Sequence, residues 1–474
     1  MTHMQYDLTI IGGGSGGLTA ARLATSLGAH VLLIEKERLG GDCLNYGCVP
    51  SKSVIHVARV AQQARDAARL GLLPTSLSVD MAKVSQHIQE VIRRVAANEQ
   101  VYIKGVTVRF GTVSFASAHE LVLNEERITS RNILIATGSR PLVPGIEGLE
   151  EVGYLTNESV FDLQHLPASL IVVGGGPIGV ELGQAFARLG THVTLLEGVE
   201  RILPREDPEV SAALTGVLQS EQITIVTNAM FVKASRNGQK KVVTAKQGDR
   251  FLTFEADEIL VTLGRRPNVE GLNLDAAGVA SDHQGIKVNA YLQTTASNIL
   301  AIGDVLGGYL FTHVAAYLAG VAVRNALVPV GKKKVDYRVV PWCTFTDPEA
   351  ARVGLTPEVA RKQYSDIRIV RFPWAEIDRA QAESETTGFI KLVLAGKNDE
   401  IVGVHIVGSH AGELLGELSL AMQHHLTPAD ILDTIHTYPT MNTGIQQAAF
   451  EAFVSGHAAR RNRKIVQTVL RLRK

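Results

Sequence analysis

Two cysteines, Cys43 and Cys48, stand with four residues between them in the segment Gly-Gly-Asp-Cys-Leu-Asn-Tyr-Gly-Cys-Val-Pro-Ser-Lys, which closes on Lys52. They follow directly on a nucleotide-binding pattern that ends at Glu35. Sulfurs so placed can form a thiol/disulfide couple that exchanges electrons with a dinucleotide. The alternatives are a pair of buried structural cysteines or half of a zinc site, which would need two more ligands where no second cysteine pair exists. The chain holds three cysteines in 474 residues, so it is not a disulfide scaffold. In a reducing compartment a close pair is catalytic or metal-binding more often than structural. Pro50 suits the first turn of a helix, and Ser51–Leu70 has a helical pattern. A cysteine at that helix's N-terminus would hold its thiolate more readily.

The elements that must position these sulfurs form an internal repeat. One copy reads Tyr-Asp-Leu-Thr-Ile-Ile-Gly-Gly-Gly-Ser-Gly-Gly-Leu from Tyr6, the other Ala-Ser-Leu-Ile-Val-Val-Gly-Gly-Gly-Pro-Ile-Gly-Val from Ala168. Each predicts a strand, a glycine turn, an Ala-rich helix ending at Gly28 or Gly190, and a second strand ending in Glu35 or Glu197. Gly12 and Gly174 would allow the tight turn, Gly14 and Gly176 the approach of a pyrophosphate, and Gly17 and Gly179 close helix packing. Phosphates favour the free N–H groups of a helix N-terminus, and the terminal acid accepts hydrogen bonds from ribose hydroxyls. Two such units imply two dinucleotides. A carboxylate at Glu197 favours NADH over NADPH, although Arg201 and Arg205 follow closely and could reach a 2′-phosphate.

The bulk composition fits this reading. A chain 45% hydrophobic with no formal net charge and a pI near 7.3 reads as globular, with no pull toward nucleic acid. No run of 18 apolar residues predicts a transmembrane helix, and the apolar stretch Leu8–Ile11 is too short for a signal-peptide core. The expected location is cytoplasmic. Met1–Met4 reads as a short flexible lead.

With these motifs in order, the chain resembles the class I pyridine nucleotide–disulfide oxidoreductases, which include dihydrolipoamide dehydrogenase, glutathione reductase and mercuric reductase. The resemblance covers nearly the whole chain. It rests on both fingerprints, Cys43/Cys48 with Lys52, Ala-Thr-Gly ending at Gly138, Glu181, Gly-Arg-Arg-Pro-Asn from Gly264, and Ala-Ile-Gly-Asp ending at Asp304. It implies an α/β fold: two Rossmann-like dinucleotide-binding domains, for FAD and NAD(P), plus a C-terminal α+β dimerisation domain in a homodimer. The implied boundaries are 1–148 with 270–336 for FAD, 149–269 for NAD(P), and 337–474 for dimerisation, with Lys332–Lys334 near the linker. The resemblance also implies roles. The first fingerprint and Glu35 would hold the ADP half of FAD, and Asp304 would contact its ribityl and pyrophosphate region. Cys48 would be the thiol against the flavin and Cys43 the interchange thiol facing the acceptor. Lys52 would pair with Glu181 on the nicotinamide side.

One segment departs from the family. Dithiol-handling members carry His-Pro-Thr and then a glutamate, as an acid/base dyad reaching the partner subunit's cysteines. Here the segment is Ile-His-Thr-Tyr-Pro-Thr-Met-Asn-Thr-Gly, so Tyr438 takes the histidine position and Thr443 the glutamate position. Tyrosine titrates near pH 10 and is a poor neutral-pH base. His436 could substitute as proton carrier, or be a hydrogen-bonded structural histidine. Mercuric reductases resemble the chain better here and at Phe345–Glu349, but neither their N-terminal metal-binding domain nor their C-terminal vicinal cysteines is present in this sequence. His313 is placed either near the flavin edge or as a packing residue, and Cys343 reads as buried and inert.

The expected function is therefore FAD-dependent electron transfer from NAD(P)H through Cys43–Cys48 to a soft metal ion such as Hg(II), which both thiolates would ligate. The alternatives are a dihydrolipoamide dehydrogenase-like disulfide reductase and a redox-sensing flavoprotein with slow turnover. The basic tail from Arg460 reads as a solvated helix, or as one that lies on an anionic membrane surface or a partner.

Overall fold

The computed structural model describes residues 5–72 and 77–473, so the Met1–Met4 lead lies outside the described residues. The repeat is explicit in its sheets. In the first unit Tyr6–Ile11 runs parallel between Val31–Glu35 and Glu126–Ile135, with Thr107–Phe110 and Ile299–Ala301 extending the two sides. In the second, Ser169–Val173 runs parallel between His192–Leu196 and Glu258–Val261, with Thr224–Val226 at the edge. Each unit adds an antiparallel excursion before its last parallel strand. The first uses Val113–Ser117, Glu120–Leu123 and the start of Glu126–Ile135; the second uses Met230–Asn237, Lys240–Gln247 and Arg250–Ala256. Parallel strands covered on both faces must be apolar on both, and Leu8, Ile10, Leu32 and Leu33 are fully buried accordingly.

The turn from strand to helix is what the glycines permit. Gly12 has φ +106° and Gly174 φ +110°, a region closed to most side chains. A Cβ at Gly17 would run into the Gly12 carbonyl, and one at Gly179 into that of Gly174. Helices Ser15–Ser26 and Pro177–Leu189 therefore start pressed against their strands, with first-turn N–H groups left for a ligand.

The third region is a five-stranded antiparallel sheet in the order Pro341–Thr344, Glu349–Gly354, Glu400–Gly408, Phe389–Ala395, Ile367–Pro373. Helices Ala411–Gln423 and Thr443–Ser455 bury their apolar faces on it. Trp374 is fully buried, its ring lying where a side chain at residue 408 would have to go. Burying such a side chain contributes about 3 kcal/mol. The segment carrying Lys332–Lys334 has no regular structure; Asn325 ties it down by accepting from the Lys333 N–H at 2.8 Å and donating to the Lys333 carbonyl at 2.8 Å.

The second unit is bolted to this sheet. Arg188 Nη1 donates to Asp347 Oδ2 at 2.6 Å and its Nη2 to Glu221 Oε1 at 2.7 Å. Gln184 exchanges two hydrogen bonds, each 2.8 Å, with the Asp347 backbone. The basic tail forms a further helix, His457–Leu472.

Candidate active site

A cavity of about 1560 Å³ runs from the first fingerprint, past the cysteines, to the second unit's helix. Gly12, Gly14, Glu35, Gly138, Gly264 and Asp304 line one end; Cys43, Cys48, Lys52 and Glu181 line the middle. Gly176 reaches its wall, whereas Gly174, Gly179 and Glu197 stand outside the lining. Glu35 is fixed by accepting from the N–H groups of Gly13 (2.6 Å), Lys36 (2.8 Å) and Glu37 (2.9 Å). Glu197 repeats this with Gly175 (2.7 Å) and Val199 (3.0 Å). Asp304 follows Ile299–Ala301 in a turn, accepts from Ser139 Oγ at 2.7 Å, and is pushed up from the usual carboxylate range by burial. A tight glycine cradle, open helix N–H groups and an acid at the next strand's end fit the ADP portion of a dinucleotide.

The sulfurs come from two helices. Cys43 lies in the short helix Gly41–Asn45, and Cys48 is the first residue of Cys48–Asp66. That helix starts earlier than the expected Ser51, with Pro50 still in its first turn, and ends at Asp66, tightening into a 3₁₀ turn over Ala67–Leu70. The connecting loop is held from far away, because Asn157 Nδ2 donates to the Tyr46 carbonyl (3.1 Å) and to Asp42 Oδ1 (3.3 Å). Both residues are free thiols, Cys48 open to the cavity and Cys43 half-buried. The hydrogen bond from Cys43 brings the Cys48 thiol down to about 6, with Thr312 and the Lys52 cation adding to the effect against burial. That same hydrogen bond, together with burial, pushes Cys43 well above the ordinary thiol range. The pair therefore holds one thiolate, on Cys48, at neutral pH.

Lys52 Nζ donates to Glu181 Oε2 at 2.8 Å, joining a helix behind the cysteines to the helix of the second unit. Burial opposes the Lys52 charge, but Glu181 outweighs it and raises the pKa. Glu181 is itself buried and accepts from the Phe345 N–H at 2.9 Å. Lys52 also stands over the Phe345 ring, 4.4 Å from its centroid. His313 lines the cavity, yet its Nε2 is committed to the Pro341 carbonyl at 2.7 Å, its ring stacks on Phe311, and burial lowers its pKa. Cys343 also reaches the lining, but burial pushes its thiol well up. Among the described residues no group of three His, Cys, Asp or Glu side chains could hold a metal ion.

Tyr438, His436 and Thr443 part company. Tyr438 is 69% exposed on its loop, and its hydroxyl donates to Asp378 Oδ2 at 2.9 Å, which raises its pKa further. The expectation that His436 carries protons in its place meets a ring held elsewhere. Nδ1 contacts the Thr434 carbonyl at 2.9 Å, Nε2 contacts Glu417 Oε1 at 3.0 Å, and only 2% of the side chain is exposed. Glu417 Oε2 also accepts from Asn442 Nδ2 at 2.8 Å, so one carboxylate fixes both ends of the Tyr438 loop. Thr443 is buried and bonds the Thr440 carbonyl.

The family model for pyridine nucleotide-disulphide oxidoreductases matches residues 6–320, and the model for their dimerisation domain matches 340–449. The chain belongs to the pyridine nucleotide-disulphide oxidoreductases. It is 37% identical over 448 residues to a mercuric reductase of Staphylococcus aureus, covering 94% of this chain and 82% of the relative. It is 34% identical over 466 residues to a dihydrolipoyl dehydrogenase of Bacillus subtilis (strain 168), covering 94% of this chain and 98% of the relative. Among solved structures, the Cu(II) complex of the HOCl-induced flavoprotein disulfide reductase RclA from Escherichia coli superposes with a TM-score of 0.85 at 29% identity, covering 95% of this chain and 100% of that one. This pyridine nucleotide-disulphide oxidoreductase is thus a mixed α/β flavoprotein of an FAD- and NAD(P)H-dependent family, with the family's C-terminal dimerisation domain.

Four residues at the site escape sequence reasoning. Thr312, whose Oγ1 lies 3.6 Å from Cys48 Sγ, is 264 positions away in sequence and has no local signature. The same holds for Asn157 over the cysteine loop; Phe345 beneath Lys52 belongs to the Phe345–Glu349 segment, which gave a resemblance but no partner. Arg265, 3.1 Å from Asp42 and 3.8 Å from Asp304, belongs to the Gly-Arg-Arg-Pro-Asn motif, which gave a signal without an assigned partner.

Proposed function

We propose that this enzyme passes electrons from NAD(P)H through the Cys43–Cys48 couple to a soft metal ion, with Hg(II) the leading candidate. The observation that carries the reading is a pair of neighbouring sulfurs in the cavity, Cys48 beside Thr312 and the Lys52–Glu181 ion pair, in a protein whose acid/base position holds Tyr438. The family's FAD, when bound, supplies the two-electron relay between nicotinamide and thiols. The chain's own residues do the rest. The fingerprint loop and Glu35 bind its ADP portion, and Asp304 approaches its middle. Lys52, kept cationic by Glu181, offers positive charge where electrons arrive. The Cys48 thiolate ligates the metal first, and Cys43 gives up its proton to solvent as the metal's charge takes its place. The net reaction is NAD(P)H + Hg(II) → NAD(P)⁺ + Hg(0) + H⁺, which asks for no proton transfer to a substrate sulfur. Tyr438 suits that chemistry: it donates a hydrogen bond and is a poor base at neutral pH.

In this reading FAD is bound by 1–148 with 270–336, the nicotinamide by 149–269, and the homodimer forms through 337–474. NADH is the preferred donor, because Glu197 occupies the ribose position while Arg201 is engaged by Glu200 and the Pro204 carbonyl. A couple that must return to its dithiol suits the reducing cytoplasm. His436 acts as a positioning residue for the Tyr438 loop.

The test is an acceptor panel on the purified holoenzyme with both nicotinamides: Hg(II) with excess thiol, Cu(II), dihydrolipoamide or its disulfide, and glutathione disulfide. Hg(II)-dependent NADH oxidation should exceed the disulfide rates at least about tenfold, which is about 1.4 kcal/mol in the barrier. Cys48→Ser should abolish it while leaving the flavin bound. Rapid dihydrolipoamide turnover would overturn the assignment.

A further inference from the structure

The helix His457–Leu472 is not used by anything described so far. After Glu451 the sequence has no acidic residue, and seven of its last fifteen residues are Arg or Lys. The helix spans about 24 Å at 1.5 Å per residue. Its apolar residues stay in water: Ile465 is 56% exposed, Val466 54%, Val469 42%, Leu470 54% and Leu472 81%. At 3.6 residues per turn these five positions fall on one broad arc of the helix, with Arg473 within it at the C-terminal end; Arg463 borders the arc, and Gln467 and Arg471 lie on the other face, all of them exposed. The preceding helix, Thr443–Ser455, leaves Phe450 and Val454 exposed one turn apart.

An apolar arc alone would fit another protein helix, and a basic face alone would fit any polyanion. Both on one helix, with no acid to offset the charge, match the boundary between headgroups and acyl chains of an anionic bilayer, where the apolar arc enters and the basic residues meet lipid phosphates. No helix among the described residues is long and apolar enough to cross a membrane, so the contact would lie in the plane of the surface. We propose that the 457–472 helix docks this oxidoreductase on an anionic lipid surface.

Flotation of the purified holoenzyme with vesicles tests this. With phosphatidylcholine–phosphatidylglycerol vesicles at low salt, at least about tenfold more protein should float than with phosphatidylcholine alone, and the excess should shrink as salt shortens electrostatic reach. A chain ending at Gly456 should stay in solution with its dimer mass and NADH oxidation intact. In the full-length chain, Ile465→Asp with Val469→Asp should do the same. Equal flotation of the shortened chain, or none of the full chain with anionic vesicles, would overturn the proposal. So would unchanged flotation of the double-aspartate chain, which would mean charge alone is at work. Loss of the dimer on shortening would overturn it too, by assigning the apolar arc to a second copy of the chain.

Discussion

The two dinucleotide units share one cradle and differ in what covers it. The residue before each helix is nearly superimposable in conformation, Gly14 at φ −78°, ψ −173° and Gly176 at φ −74°, ψ −179°. Even the next tether is repeated: the Gly13 carbonyl accepts from the Gly40 N–H at 2.8 Å, and the Gly175 carbonyl from the Leu203 N–H at 2.8 Å. Beyond this the units diverge. Gly14 is bridged to Gly40, and a Cβ on Gly41 would come within 2.7 Å of the Gly14 Cα, so a backbone roof lies on the first loop. A Cβ on Gly176 would meet nothing within 4 Å. The same physics of helix N-termini thus gives an enclosed site suited to a resident dinucleotide and an open one suited to a dinucleotide that leaves every turnover.

The sharpest way to break this comparison is to fill each cradle. Gly17→Val should give protein without bound flavin, seen as loss of visible absorbance. Gly179→Val should keep its flavin but lose about tenfold to a hundredfold in kcat/KM for NADH, from overpacking worth about 1–3 kcal/mol. Loss of flavin in both variants would show that the units are not independent. A smaller effect is expected from the roof. Gly41→Ala should speed flavin release about tenfold, since residue 41 has φ +59° as well as its close neighbour. Gly176→Ala should spare flavin retention and weaken NADH binding a few-fold, since a methyl there enters the space through which a pyrophosphate approaches.

Of similar size is the effect on donor choice. Glu197→Ala should cut the NADH-over-NADPH preference by about tenfold or more, the value of one hydrogen bond to a charged acceptor. Glu35→Ala should leave that ratio alone and weaken flavin binding instead. The finest test lies where the units meet, at Cys48, Lys52 and Glu181. In the reduced enzyme, iodoacetamide should alkylate Cys48 with a pH midpoint near its depressed value of about 6, because the attacking species is the thiolate. The depressed Cys48 value adds stability as pH rises from about 6 to the ordinary thiol range; above that range the raised Cys43 takes stability away, because the unfolded chain ionises there and the folded one does not. Lys52→Met should move the midpoint upward, since the Lys52 cation supports the thiolate.

The sequence makes the cradles, the acids and the sulfurs legible because each depends on short-range geometry: a positive φ, a helix start, an alternation of apolar residues. The Lys52–Glu181 pair, 129 positions apart, is legible only through the family resemblance. Thr312 and Asn157 are not legible at all, and Phe345 only as part of a segment without a partner, because what matters about them is a neighbour more than a hundred positions distant. The start of the Cys48 helix is legible to within a turn: Pro50 lies in its first turn as expected, with Cys48 as the first residue. His436 shows the limit most clearly: two positions from Tyr438, it faces inward onto Glu417 while the tyrosine faces water.

The bolts between the second unit and the C-terminal sheet bear on the cysteines. With Arg188 and Gln184 gripping Asp347, and Glu181 holding the Phe345 amide, the Pro177–Leu189 helix is stitched to the start of the C-terminal sheet along one seam. Slack in that seam would pass through Glu181 to Lys52, so the sheet and the cysteine helix share one mechanical frame.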